Sequence, residues 1–168
     1  MLSTLRRGFV YGVRHGFKLV AIFLALGYGL SLWRPSPAMA DARVDGLKSV
    51  ALSDIALNLR MMALERLKAD ASSAALDALE DIAKRGDLPL RTAACAQLGR
   101  VHSNASKAKL KSLLENANLR TEVRMAAVAC IAEHWRSQGD VSYLEGACEG
   151  NATLEAHLTA VKSRVYER

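Results

Sequence analysis

Aromatic residues are scarce in this 168-residue chain. Two Trp, four Tyr and three Phe make up 5% of it, and runs of β-branched residues are missing. Strands draw on those residue types, so little strand is expected; Ala and Leu, which favour helix, dominate instead. Cysteine is equally scarce and odd in number. Cys95, Cys130 and Cys148 do not make a closed disulfide framework. Their plain reading is as small buried apolar residues. The alternative is a Cys130–Cys148 bridge, since the two flank Gln138-Gly139 at similar distances and an oxidising compartment would permit it. No HExxH, GxSxG or glycine-rich phosphate loop occurs. The four histidines, His15, His102, His134 and His157, have no metal-ligand spacing with a cysteine, and a zinc site needs three or four converging ligands. A catalytic centre, a metal and a cofactor are therefore not expected.

Acid is absent from the first forty residues, which hold Arg6, Arg7, Arg14, Lys18 and Arg34. The rest of the chain carries the other 18 Lys+Arg against all 17 Asp+Glu, so the net charge of +6 belongs almost wholly to the head. A nearly neutral body lacks the basic face of a nucleic-acid binder, and no nucleic-acid partner is expected. The head itself reads as a targeting segment, residues 1–40. Leu19–Trp33 is uncharged and apolar, and Ala38-Met39-Ala40 has the small-x-small form that a signal peptidase accepts, with cleavage after Ala40. Prolines 35 and 37 are expected to end any helix there. The rival reading is an uncleaved anchor whose only membrane contact is residues 19–33, with Lys18 and Arg34 snorkelling to the interfaces. In both readings the excess of basic residues before the run keeps the head cytoplasmic and sends the chain from Asp41 onward across the membrane. The product is then periplasmic or extracellular, or anchored in an inner membrane with its body outside the cytoplasm. Arg6-Arg7-Gly8-Phe9-Val10 also fits a twin-arginine signal, and an Arg-bearing, acid-free head leaves a mitochondrial presequence open.

What the body does contain is a repeat. Leu59-Arg60 opens LRMMALERL, Leu90-Arg91 opens LRTAACAQL, and Val123-Arg124 opens VRMAAVACI; Leu154-Glu155 opens a degenerate fourth copy, LEAHLTAV. The second positions, 60, 91, 124 and 155, are 31, 33 and 31 residues apart. That period means stacked helical units. A short lead-in, 41–52, precedes repeats at about 53–86, 87–119 and 120–150, and residues 151–168 form a single capping helix. Within repeat one, Ile55, Leu59, Met62 and Leu67 form the expected inward stripe of the first helix, and Leu76, Leu79, Ile82 and Ala83 that of the second. Repeat two is expected to bury Leu90, Ala94, Leu98 and Val101, then Leu110, Leu113 and Leu114. Repeat three is expected to bury Val123, Ala127, Ile131 and Trp135, then, after a break at Gln138-Gly139-Asp140, Val141, Leu144, Ala147 and Cys148. Asp87 and Pro89 mark a helix start, and Lys84-Arg85-Gly86 a helix end. His102 and His134 close first helices, where a cation suits the negative helix end.

The opening Asp87-Leu88-Pro89-Leu90-Arg91-Thr92-Ala93-Ala94 and the close Ala94-Cys95-Ala96-Gln97-Leu98-Gly99 resemble HEAT repeats, in particular the short phycobilisome-lyase-type HEAT-like form. Val123-Arg124-Met125-Ala126-Ala127 matches nearly as well; Met61-Met62 makes the first copy looser, and Glu155 replaces the usual arginine in the last. The resemblance implies an all-α fold: a short α-solenoid of about three helix pairs plus a C-terminal cap, behind an N-terminal hydrophobic helix. It also implies that Arg60, Arg91 and Arg124 reach a neighbouring repeat's turn acid or helix end, and that second helices line the concave side. Those helices carry alternating bands, Asp77, Glu80 and Asp81, then Lys107, Lys109 and Lys111, then Glu145 and Glu149. The bands are the candidate surface for reading a protein partner's charges; the plain alternative is a mixed solvated surface. The expected function is non-catalytic protein binding, as an adaptor or assembly scaffold beyond a membrane. The two alternatives are a lyase-type or chaperone helper for a chromophore- or cofactor-bearing protein and a structural subunit anchored by its N-terminal helix.

Overall fold

The computed structural model describes residues 37–166, and its contacts divide the chain into residues 1–40 and 41–168. The targeting signals read in residues 1–36, and with them the apolar run 19–33, lie outside the described residues. All regular structure among the described residues is α-helix: α1 Pro37–Leu52, α2 Leu57–Asp70, α3 Ser73–Arg85, α4 Leu88–Val101, α5 Asn104–Glu115, α6 Thr121–His134, α7 Gln138–Cys148 and α8 Ala152–Tyr166. No helix among the described residues is long and apolar enough to cross a membrane.

Short polar side chains set the helix starts, because the first turn has amide N–H groups with no partner inside the helix. Ser72 accepts from the Ala75 N–H (3.2 Å) and starts α3, and Asp87 accepts from the Leu90 N–H (3.2 Å) and starts α4. Ser103 and Ser106 form a reciprocal capping box at α5. Ala71 and His102 end α2 and α4 in the left-handed conformation, at φ 53° and 55°.

The lead-in, residues 41–52, forms most of α1, and Pro37 is the first residue of that helix, where its missing N–H has no intrahelical partner to lose. Two local expectations fail, each for a physical reason. First, Gln138-Gly139-Asp140 is the first turn of α7; the break falls at Trp135–Ser137, where the Ser137 hydroxyl caps the Asp140 N–H. Second, the inward face of α2 is Ala63, Leu64 and Leu67, whereas Ile55, Leu59 and Met62 are exposed.

The helices pack in a regular order. α2 packs on α4, α4 on α6, and α6 on α8, while α3 packs on α5 and, from α2 onward, each helix also packs on the next. One apolar cluster runs through these interfaces, from Val44 and Ala51 of α1 to Leu154, Leu158 and Val161 of α8. Gly99 lets α4 and α6 approach: a Cβ there would lie 2.8 Å from the His134 ring and 3.2 Å from the Cys130 Cβ.

The recurring arginine has the same task in each copy. Arg60 Nε donates to the Ala51 carbonyl (3.0 Å), Arg91 Nε to the Gly86 carbonyl, and Arg124 Nε to the Leu114 carbonyl (2.8 Å). Each acceptor lies at the C-terminal end of the preceding helix, where carbonyls lack intrahelical donors. Arg60 also pairs with Asp87 (2.8 Å), so that carboxylate both caps α4 and ties it to α2. In the fourth copy the polarity is reversed. Glu155 accepts the Gly150 N–H (2.8 Å), and Gly150 sits at φ +77° just beyond α7.

Candidate functional site

The charge bands of the second helices lie against one another and bond together. Lys109 of α5 meets Asp77 (2.6 Å) and Glu80 (2.8 Å) of α3. Glu80, buried to 8% exposure, also receives Lys84 (2.6 Å) and the Ser112 hydroxyl (3.1 Å). Burial raises its pKa, yet the hydrogen bonds from Lys109, Lys84 and Ser112 outweigh that and hold the carboxyl below its ordinary value. Asp81 takes Lys48 of α1 (2.6 Å) and Arg85 (3.1 Å). Lys107 pairs with Asp140 of α7, and the Lys111 ammonium lies 3.8 Å from the centre of the Tyr143 ring, a cation–π contact. Tyr143 donates to Glu115 (2.8 Å). Glu145 takes Lys162 of α8 (2.6 Å). Of the residues singled out from the sequence, Asp77, Glu80, Asp81, Lys107, Lys109, Lys111 and Glu145 are thus engaged within the chain, forming a strap from α1 through α3 and α5 to α7 and α8. Glu149 is exposed beside a groove of about 270 Å³ that Glu155 and Lys162 also line.

The three cysteines are free and buried. Cys130 faces Gly99 on α4, the Cys95 thiol points to the Val123 carbonyl at 4.0 Å, and Cys148 lies with Arg124 and Glu155. Burial pushes the Cys130 thiol up to about 12 and Cys95 higher still, which suppresses the reactive thiolate. His102 stacks on Trp135 at 5.2 Å, and His134 meets the same ring edge-on at 6.0 Å. His134 lies in the last turn of α6, and burial lowers its pKa, which works against the cation expected there. No cluster of three or more metal-ligating side chains occurs among the described residues.

A second feature was not read from the sequence as a site. Equivalent positions in the four copies have very different exposure. Leu90, Val123 and Leu154 are fully buried, while Leu59 is 47% exposed. Gln97, Cys130 and Val161 are buried, while Arg66, at the same position in the first copy, is exposed. The buried positions face the preceding first helix: Gln97 donates to Glu65 of α2 (2.7 Å), and Cys130 lies on Gly99 of α4. On α2 the same face carries Leu59, Met62 and Arg66, one to two turns apart, and no described helix covers it. Periodicity marks such a face as apolar; it carries no information on whether a neighbour exists.

No family model, no curated protein and no solved structure matches this chain. The HEAT-like resemblance therefore rests on the residue pattern alone.

Proposed function

We propose that the chain is a non-catalytic protein-binding scaffold, a short HEAT-like α-solenoid that is exported across a membrane or tethered to it by residues 19–33. The observation that carries this reading is the bare face of α2. Three of four copies bury the leucine or valine before the recurring position, and the first presents Leu59 to solvent beside exposed Met62, three residues on along the same face. Clustered apolar side chains on a stable surface favour association with another macromolecule. In a stacked array each unit relies on its neighbour for burial, so a first unit that no described helix caps suits a chain that is completed by binding. The internally paired charge strap stiffens the second helices, and a rigid scaffold lowers the ordering cost of binding.

Gentle extraction from the native host followed by size separation tests the proposal. The chain is expected to travel in a complex of defined stoichiometry with another polypeptide, and elution as a monomer at native concentration refutes it. Intact mass of the same material distinguishes the exported form, lacking residues 1–40, from the anchored one.

A further inference from the structure

We infer that the bare face of α2 docks an amphipathic helix of a partner protein, with an apolar stripe on Leu59 and Met62 and a carboxylate on Arg66. The inference rests on the scaffold reading above and adds to it the place and chemistry of the contact.

The register supplies the argument. Two of the three first helices that precede another present an acid to it; α4, which precedes α6, carries none and meets Cys130 through Gly99 instead. Glu65 of α2 accepts from Gln97 (2.7 Å) and meets Arg100 (3.5 Å) on α4. Glu133 of α6 pairs with Arg164 on α8. Arg66 occupies the position of Gln97, yet it is exposed and has no ion-pair or hydrogen-bond partner among the described residues, whereas Arg43, Arg60 and Arg100 nearby are paired. A following helix with a base and two apolar side chains is thus in place without an acidic predecessor among the described residues. The face also continues into a groove of about 370 Å³ lined by Arg43, Leu47, Arg66, Ala69 and Asp70. An amphipathic helix laid along such a face is a recurring recognition mode.

The other end of the array argues against a second copy in head-to-tail contact. A chain stacking on its own kind would offer the outer face of α8 to α2, but the exposed residues of α8 are small or polar, among them Thr153, Ala156, Thr159 and Ala160, and no large apolar side chain is exposed there.

The test is photo-cross-linking of the full chain in its native host, with p-benzoylphenylalanine at Met62 and, in separate strains, at Leu59 and Ser142. Ser142 is exposed on α7, on the same side as Glu145 and Glu149. The expected product joins 62 and 59 to one helical segment of another protein, in which an Asp or Glu interrupts an apolar stripe. Arg66→Glu is expected to cut that product about tenfold, as loss of an interfacial charge pair does. Products only from 142 overturn the docking site and leave the scaffold reading standing. Products from 62 joined to lipid, to residues 1–36 or to a second copy overturn the assigned occupant. If neither face captures a protein, both readings fall.

Discussion

Leucine-to-alanine substitution at equivalent positions provides a direct measure of the open edge. Leu90 and Leu154 are fully buried and Leu59 is 47% exposed, although all three precede the recurring position by one residue. Removing a buried leucine side chain costs its transfer energy and leaves a cavity, together about 2.7–5 kcal/mol. At Leu59 roughly half of the burial gain of about 1.5–3 kcal/mol is at stake. Water fills the space, so there is no cavity term, and the expected cost is about 1 kcal/mol. The predicted gap between Leu59→Ala and either Leu90→Ala or Leu154→Ala is about 2 kcal/mol. For a body of this size that is a difference of about 7 °C in unfolding midpoint. Thermal unfolding followed by far-ultraviolet circular dichroism, on the purified chain and its variants in one buffer, reads the gap. Equal losses at 59 and 90 would mean that the first unit is covered in the free chain, and the edge argument would fail.

Four further outcomes follow from the same geometry. Glu155→Arg restores the repeat's usual residue yet is expected to lower stability by about 1 kcal/mol, because it sets a donor against the Gly150 N–H; a gain in midpoint refutes the reversed polarity. Gly99→Ala should cost about 1–3 kcal/mol through overpacking against His134 and Cys130, and denaturant titration decides it. Glu65, Asp70, Glu80, Asp81 and Asp140 all have lowered pKa values in the fold. A depressed carboxylate stabilises above its unfolded pKa of about 4, and that contribution is lost as pH falls through the folded value. Unfolding midpoints are therefore expected to be level between about pH 5 and 7 and to drop below about pH 4; a loss already complete at pH 5 would contradict the charge strap. Cys95, Cys130 and Cys148 should react with a thiol reagent only as fast as the chain opens, since burial raises all three pKa values; rapid labelling of the native chain would refute their burial.

Local chemistry made much of the helix pattern legible in the sequence. Ser72, Asp87 and Ser103 start helices through their own side chains, so the breaks before α3, α4 and α5 could be read without knowledge of the fold. The recurring arginines were also legible, because their acceptors are helix ends that every copy possesses. The beginning of the chain was less readable. α1 presents only Val44, Leu47, Ala51 and Leu52 to the core, and Pro37 is ambiguous between stop and start until its position in a helix is known. The stripe Ile55, Leu59 and Met62 has the period of a buried face and is not buried, since burial depends on a neighbour that α2 does not have on that side among the described residues. The charge bands were legible as bands, but their pairing across α3, α5 and α7 depends on helix packing, which a linear pattern does not encode.

The single α8 limits how this order of helices can lengthen. A duplicated unit spliced in before Thr121 would bring its own arginine and meet a helix-end carbonyl like those that receive Arg60, Arg91 and Arg124. A unit appended after Tyr166 would meet α8, a first helix that no described second helix follows. Growth at the tail therefore has to complete the fourth copy before it adds a fifth.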